Sequence, residues 1–147
     1  MHTNPSDAEL KDLMTNASTI AVVGASSNPE RASNGIMRKL LSVGYHVIPV
    51  NPHETEVLGE RAYPSLSQVP VPVDIVNVFR RAEYTPAIAD EAVKIGAKAL
   101  WLQSGIENED TAKRAKAGGL IMVMDTCLGT MHAVLRVPHK KLHGTHV

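Results

Sequence analysis

Short apolar runs alternate along this chain with segments whose apolar residues recur every three or four positions. The first run, Thr19-Ile20-Ala21-Val22-Val23, ends in Gly24. It is too short for a buried helix and apolar at successive positions, which predicts a strand buried on both faces. Four further runs, over residues 45–50, 74–79, 99–103 and 120–124, have the same character. Between them the helical period returns. Ser6 and Glu9 form a capping-box signature ahead of Leu10, Leu13, Met14 and Ala17. Ser33 is placed to cap a helix whose buried stripe is Ile36, Leu40 and Leu41, stopped by Gly44. Thr85-Pro86 opens a helix through Ile88, Ala92, Val93 and Ile95 to Gly96, with proline in its favoured first turn. A polar helix is predicted over 108–117, ended by Gly118-Gly119, and a short one over about 130–135. Residues 53–73 have weak periodicity and carry Pro64, Pro70 and Pro72. They read as a long connection with a short helix near 65–69. Pro49, inside the second run, predicts a local break or an unpaired amide.

Strand–helix alternation requires crossover connections, which are right-handed and build a parallel sheet. The expected fold is α/β: one Rossmann-like, doubly wound, parallel five-stranded sheet of order 3-2-1-4-5, with helices on both faces. Residues 10–137 form the expected core, and 138–147 a polar, frayed tail. Ligands of such sheets bind beyond the carboxyl ends of the strands, where the strand order reverses. That rule selects 24–31, 51–52, 79–81, 103–106 and 126–127 for chemistry.

Composition narrows the classes. The length of 147 residues suits a single domain. Fifteen Lys and Arg balance 15 Asp and Glu, so the broad basic excess of a nucleic-acid binder is missing. One cysteine forms no internal disulfide, and the histidines have no metal-ligand spacing, so no metal is expected. No apolar run approaches the roughly 18–20 residues that span a bilayer. The start of the chain has neither the basic nor the apolar segment of a signal peptide. A soluble cytoplasmic protein is the expectation.

At the first strand end, Gly24-Ala25-Ser26-Ser27 leads toward a helix. Backbone amides in such a loop, with the helix N-terminus, present partial positive charge to a phosphate. The alternative is a plain turn without a ligand. The loop lacks the G-x-G-x-x-G pattern, because Ser26 stands at the second glycine. The second strand ends in Asn51-Pro52, with no carboxylate before Glu54 to hold the ribose of NAD. Phe79-Arg80-Arg81 ends the third strand, and Arg31 adds another guanidinium to the same rim. Such a cluster in a chain of zero net charge is a local anion site, or else a surface arginine group. Gly105, within Gln103-Ser104-Gly105-Ile106, would admit close backbone approach.

Three segments together carry a family resemblance: Val23-Gly24-Ala25-Ser26, then Gly44 through Pro52, then Asp74 through Arg80. They resemble the stand-alone CoA-binding proteins, which are similar to the N-terminal domain of the succinyl-CoA synthetase α subunit. The resemblance covers about residues 10–137. It implies that coenzyme A, or an acyl-CoA, lies across the strand ends. Gly24, Ala25, Ser26 and Ser27 would hold its phosphates, assisted by Arg31. Asn51 and Pro52 would sit by the nucleotide, and Val78, Phe79 and Arg80 would line the adenosine side. Gln103, Ser104, Gly105 and Ile106 match the loop near the pantetheine arm, although Ser104 replaces the synthetase's glutamate. The synthetase's second domain, with its phosphorylated histidine, has no counterpart here, so binding without catalysis is expected.

Cys127 follows the fifth strand. It is either a small buried apolar group or a thiol able to form a mixed disulfide with CoA. The other alternative is a small NAD(P)-binding oxidoreductase. A homodimer or a protein partner stays open.

Overall fold

The computed structural model describes residues 1–140. The chain runs through α1 (Asp7–Asn16), β1 (Thr19–Val23), α2 (Ala32–Ser42), β2 (His46–Val50), β3 (Glu56–Val57), β4 (Glu60–Arg61), β5 (Ile75–Val78), α3 (Thr85–Lys94), β6 (Ala99–Leu102), α4 (Glu109–Ala117), β7 (Ile121–Val123) and α5 (Leu128–Val134). A 3-10 turn at Leu66–Gln68 fills the expected short helix, and another at Ala82–Tyr84 precedes α3. Five strands form one parallel sheet, and β3–β4 is a separate antiparallel hairpin.

The pleat of β1 shows why both faces are covered. Ile20 and Val22 point to one side, where Leu10, Met14, Met37, Leu40 and Leu128 from α1, α2 and α5 pack. Ala21 and Val23 point to the other, against Ala89, Ala92, Ala112 and Ala115 from α3 and α4. Every residue of β5 and β6 is buried, as the continuous apolar runs require. Fully buried Trp101 of β6 packs on the first face and donates its indole N–H to the Thr126 carbonyl at 2.8 Å. Just past β7, the backbone of Met124 is paired by a side chain. Asn4 Nδ2 donates to the Met124 carbonyl at 2.8 Å, and its Oδ1 accepts the Met124 amide at 3.0 Å.

The strand order corrects the expected 3-2-1-4-5. The sheet runs β2-β1-β5-β6-β7, which is 2-1-3-4-5 when its five strands are counted along the chain. The third strand therefore pairs with the first, not the second. Pro49 supplies the reason. Its carbonyl accepts the Tyr63 amide at 3.0 Å on the outer side of β2, and the Asn51 amide reaches the Tyr63 carbonyl at 2.9 Å. The missing proline N–H faces that same outer side, so β2 is an edge that no full strand extends. The long connection seals it at Tyr63. Apolar β5 then takes an interior place between β1 and β6.

Pro138, His139 and Lys140 fall in the segment expected to be a loose tail. In the structure the Lys140 amide donates to the Val43 carbonyl at 2.7 Å and its Nζ to the Thr15 carbonyl at 2.7 Å. The rest of that tail, 141–147, lies outside the described residues. His139 stands 5.9 Å, centroid to centroid, from His132, which also meets the Tyr45 ring edge-on at 5.8 Å. His132 is buried and its Nε2 has no hydrogen-bond partner. Burial, with the charges of Lys39, His139 and Lys140, pushes its pKa from 6.5 down to about 4. The folded state thus favours the neutral ring, so stability is lost as pH falls below the unfolded value near 6.5 and on toward 4. Urea titrations should show a loss of roughly 1 kcal/mol per pH unit across that window, flattened in His132→Phe.

Candidate functional site

The strand order places the reversal between β1 and β5. One connection leaves β1 for β2, and the later chain continues from β5 to the opposite edge. A cleft of about 450 Å³ opens there, lined by Gly24, Ser26, Arg31, Ala32, Ser33, Asn51, Pro52, His53, Phe79 and Arg80. That volume falls within the range of small-ligand and cofactor sites.

Gly24 lets the cleft form. It has φ +89°, and a Cβ there would stand 3.1 Å from the Phe79 carbonyl oxygen and 3.2 Å from Arg80 Cδ. A side chain would both strain the turn and push the ends of β1 and β5 apart. The loop beyond is held from beneath. Asn34, 1% exposed on α2, donates from Nδ2 to the Ser26 carbonyl at 2.9 Å and accepts Arg38 Nη2 at 2.7 Å. Asn51 Nδ2 donates to the Ala25 carbonyl at 2.8 Å, while its Oδ1 accepts the His53 amide at 2.9 Å. These bonds fix the loop without using its outward face. Asn34→Leu would orphan the Ser26 carbonyl and free Arg38. Urea denaturation should show a loss of about 1–3 kcal/mol, the magnitude of a buried unsatisfied group.

Cations gather on one wall. Arg31 is the N-cap of α2, whose first turn holds no acidic residue and receives no side-chain cap. The helix therefore presents its positive end to the cleft at Ala32 and Ser33. Arg80 lies 5.0 Å over the Tyr84 ring, which orients its guanidinium. Among the described residues neither Arg31 nor Arg80 pairs with a carboxylate. Arg81, the third cation of the expected rim, turns to Glu83 at 2.9 Å.

The structure thus brings Gly24, Ser26, Arg31, Asn51, Pro52, Phe79 and Arg80 to one cleft. Other positions lie elsewhere. Ala25 and Val78 are fully buried. Ser27 gives its amide and hydroxyl to Glu54 Oε2 at 2.8 and 3.0 Å and is not among the residues that line the cleft. Gln103, Ser104, Gly105 and Ile106 form a turn beyond β6. There the Gly105 amide donates to Asp125 Oδ1 at 2.7 Å, and the Asp125 amide to the Ile106 carbonyl at 3.0 Å. Cys127 is half-buried at the N-cap of α5, which begins at Leu128, two residues before the expected start. Burial pushes its thiol up. Hydrogen bonds from the Thr130 hydroxyl and amide, Gln103 and the Gly129 amide outweigh this and leave it below the ordinary thiol value.

Ala32, Ser33 and His53 line the cleft without having been singled out for it. Ser33 was expected to cap α2 from outside, but the helix begins two residues earlier than that, at Ala32, and Ser33 lies in the wall. His53 directly follows Asn51-Pro52, and that adjacency was its only signal. Among the described residues no cluster of His, Cys, Asp or Glu could hold a metal ion. Nor is any helix among them long and apolar enough to cross a membrane.

Relatives share this frame. The chain is 41% identical over 133 residues to the uncharacterized protein YneT of Bacillus subtilis, covering 90% of this chain and 98% of YneT. A hypothetical protein from Pyrococcus horikoshii superposes with a TM-score of 0.88 at 37% identity, over 92% of this chain and 99% of that one. An ADP-forming acetate–CoA ligase of Archaeoglobus fulgidus is 27% identical over 77% of this chain, which spans only 18% of the ligase. The CoA binding domain family matches residues 18–133, from the start of β1 to the last turn of α5, and so includes every wall of the cleft. A match over that much of the chain, on a sheet whose reversal point gathers the ends of the three segments that carried the resemblance, makes this protein a member of the CoA binding domain family.

Proposed function

We propose that the protein binds coenzyme A, or an acyl-CoA, with its pyrophosphate between the Gly24–Ser26 turn, the N-terminus of α2 and the Arg31 and Arg80 guanidiniums. One observation carries the reading. Two arginines without carboxylate partners flank an uncapped helix start inside a cleft at the strand-order reversal. Such a wall is incomplete without an anion. Family membership selects CoA among the nucleotides that supply one. The nucleotide end would lie by Asn51, Pro52 and His53, with Phe79 beside the base. The neutral Asn51 end of β2 disfavours NAD, whose ribose is commonly gripped by a carboxylate at that point. The protein acts as a carrier or reader of CoA rather than as its chemist.

Isothermal titration with CoA, dephospho-CoA, acetyl-CoA and NADPH tests this. Saturable one-to-one binding of CoA, tighter than that of NADPH, is the expected result. No CoA binding at millimolar concentration, or a preference for NADPH, overturns the proposal.

A further inference from the structure

Ser27 closes the turn expected to hold phosphates, yet its donors meet a carboxylate. Its amide and its hydroxyl converge on one oxygen, Glu54 Oε2, at 2.8 and 3.0 Å. Two donors converging on a single anionic oxygen make an anion site, and the chain's own side chain fills it. The direction of the amide is set from beneath. In a planar trans peptide the N–H points opposite to the preceding C=O. The Ser26 carbonyl is held by buried Asn34 of α2, so the Ser27 N–H faces away from that buried side. Ser27 is exposed, and its neighbour Ser26 lines the cleft. The two donors are thus preorganised one peptide from the ligand space. Glu54 has few other ties. It is half-buried in the turn after β2, where its amide reaches the Asn51 carbonyl at 3.3 Å. Among the described residues its carboxylate accepts from Ser27 alone and enters no ion pair. Two anions cannot share the same pair of donors, because their charges repel at contact distance.

We propose that Glu54 is an internal anion that holds the Ser27 amide and hydroxyl until a phosphate oxygen of the ligand displaces it. The inference rests on the CoA reading above, which puts the phosphates on this turn. Displacement breaks the Ser27–Glu54 bridge between the loops after β1 and β2. The Asn51–Ala25 bond between the same loops stays, so the floor of the cleft is kept. The released carboxylate regains water, and the phosphate takes both donors. A contact that stabilises only the latched state opposes binding by its own free energy, so its removal must appear as tighter binding. Glu54 therefore sets the affinity of the site without touching the ligand.

The test is titration calorimetry of the full chain with CoA and with inorganic pyrophosphate, for the parent, Glu54→Ala, Glu54→Gln and Glu56→Ala, at low and at high salt. Glu54→Ala should tighten both ligands by roughly three- to tenfold, the worth of one charge-assisted contact near the surface. Glu54→Gln keeps an acceptor without the charge and should fall between. Glu56→Ala removes an exposed carboxylate two residues on and should leave affinity unchanged. The gain should persist at high salt, where the field of distant charges is screened but a half-buried contact is much less so. In the nitrogen-15-labelled parent, the Ser27 amide should shift on saturation. Equal tightening by Glu56→Ala, or a gain that vanishes at high salt, overturns the inference in favour of a general charge effect. CoA binding with no gain in Glu54→Ala, or with a Ser27 amide that stays in place, overturns it while leaving the CoA reading intact. Pyrophosphate binding that Glu54→Ala tightens, without CoA binding by any variant, overturns the CoA reading and supports the displacement. Absence of binding by either ligand overturns both.

Discussion

Replacing Arg31 and Arg80 together by alanine should abolish measurable CoA binding while leaving the fold intact. Each guanidinium stands at the cleft without a carboxylate partner, so its removal orphans no protein group. A charge-assisted hydrogen bond contributes about 1–3 kcal/mol. Two such losses at one pyrophosphate weaken binding by roughly one and a half to four powers of ten. Each single variant should show a smaller loss, and affinity should fall with added salt because both guanidiniums meet solvent. Arg81→Ala is the matched control, since that side chain is paired with Glu83 on the exposed surface. Titration calorimetry of the double variant, the two single variants and the control, with a thermal melt for each, checks the expectation. A double variant with unchanged affinity would remove both arginines from the site.

Trp101→Ala should destabilise the protein by about 3–5 kcal/mol, the range for truncating a large buried aromatic. The indole is fully buried in the first core face. Alanine would leave a cavity beneath α1 and α5 and would orphan the Thr126 carbonyl. Trp101→Phe refills most of the volume but still loses the N–H, so its cost should be smaller. Equilibrium urea denaturation of the two variants separates packing from the hydrogen bond. An alanine variant within 1 kcal/mol of the parent would contradict the packing described here.

The parallel five-stranded sheet was legible because its strands are apolar on successive residues and its helices keep their period. The strand order was not. Pro49 held the signal, since a missing amide belongs on an edge, but a break in the strand would equally have explained it. The β3–β4 hairpin escaped because its turn is Leu58-Gly59, with φ of +51° and +81°. Leucine is not a residue whose presence announces a left-handed turn. At the cleft, the positions legible in the sequence were those whose backbone place at a strand end already decides their direction. Gly24, Asn51 and Arg80 are of that kind. Long-range partners decided the others. Glu54 claims Ser27 from 27 positions away, and nothing local marks Asn34 as the post beneath the loop. The start of α2 was read two residues late because Ser33 is a better cap than Arg31, yet an uncapped start suits an anion site.

The account depends most on CoA seating itself at this one cleft, and amide chemical-shift mapping of the nitrogen-15-labelled protein during titration with CoA tests that directly. The largest changes should fall on residues 24–33, 51–53 and 79–80, with little movement at the opposite end of the sheet around Asp74 and Lys98. Changes centred anywhere else, or none at a saturating concentration of CoA, would contradict it.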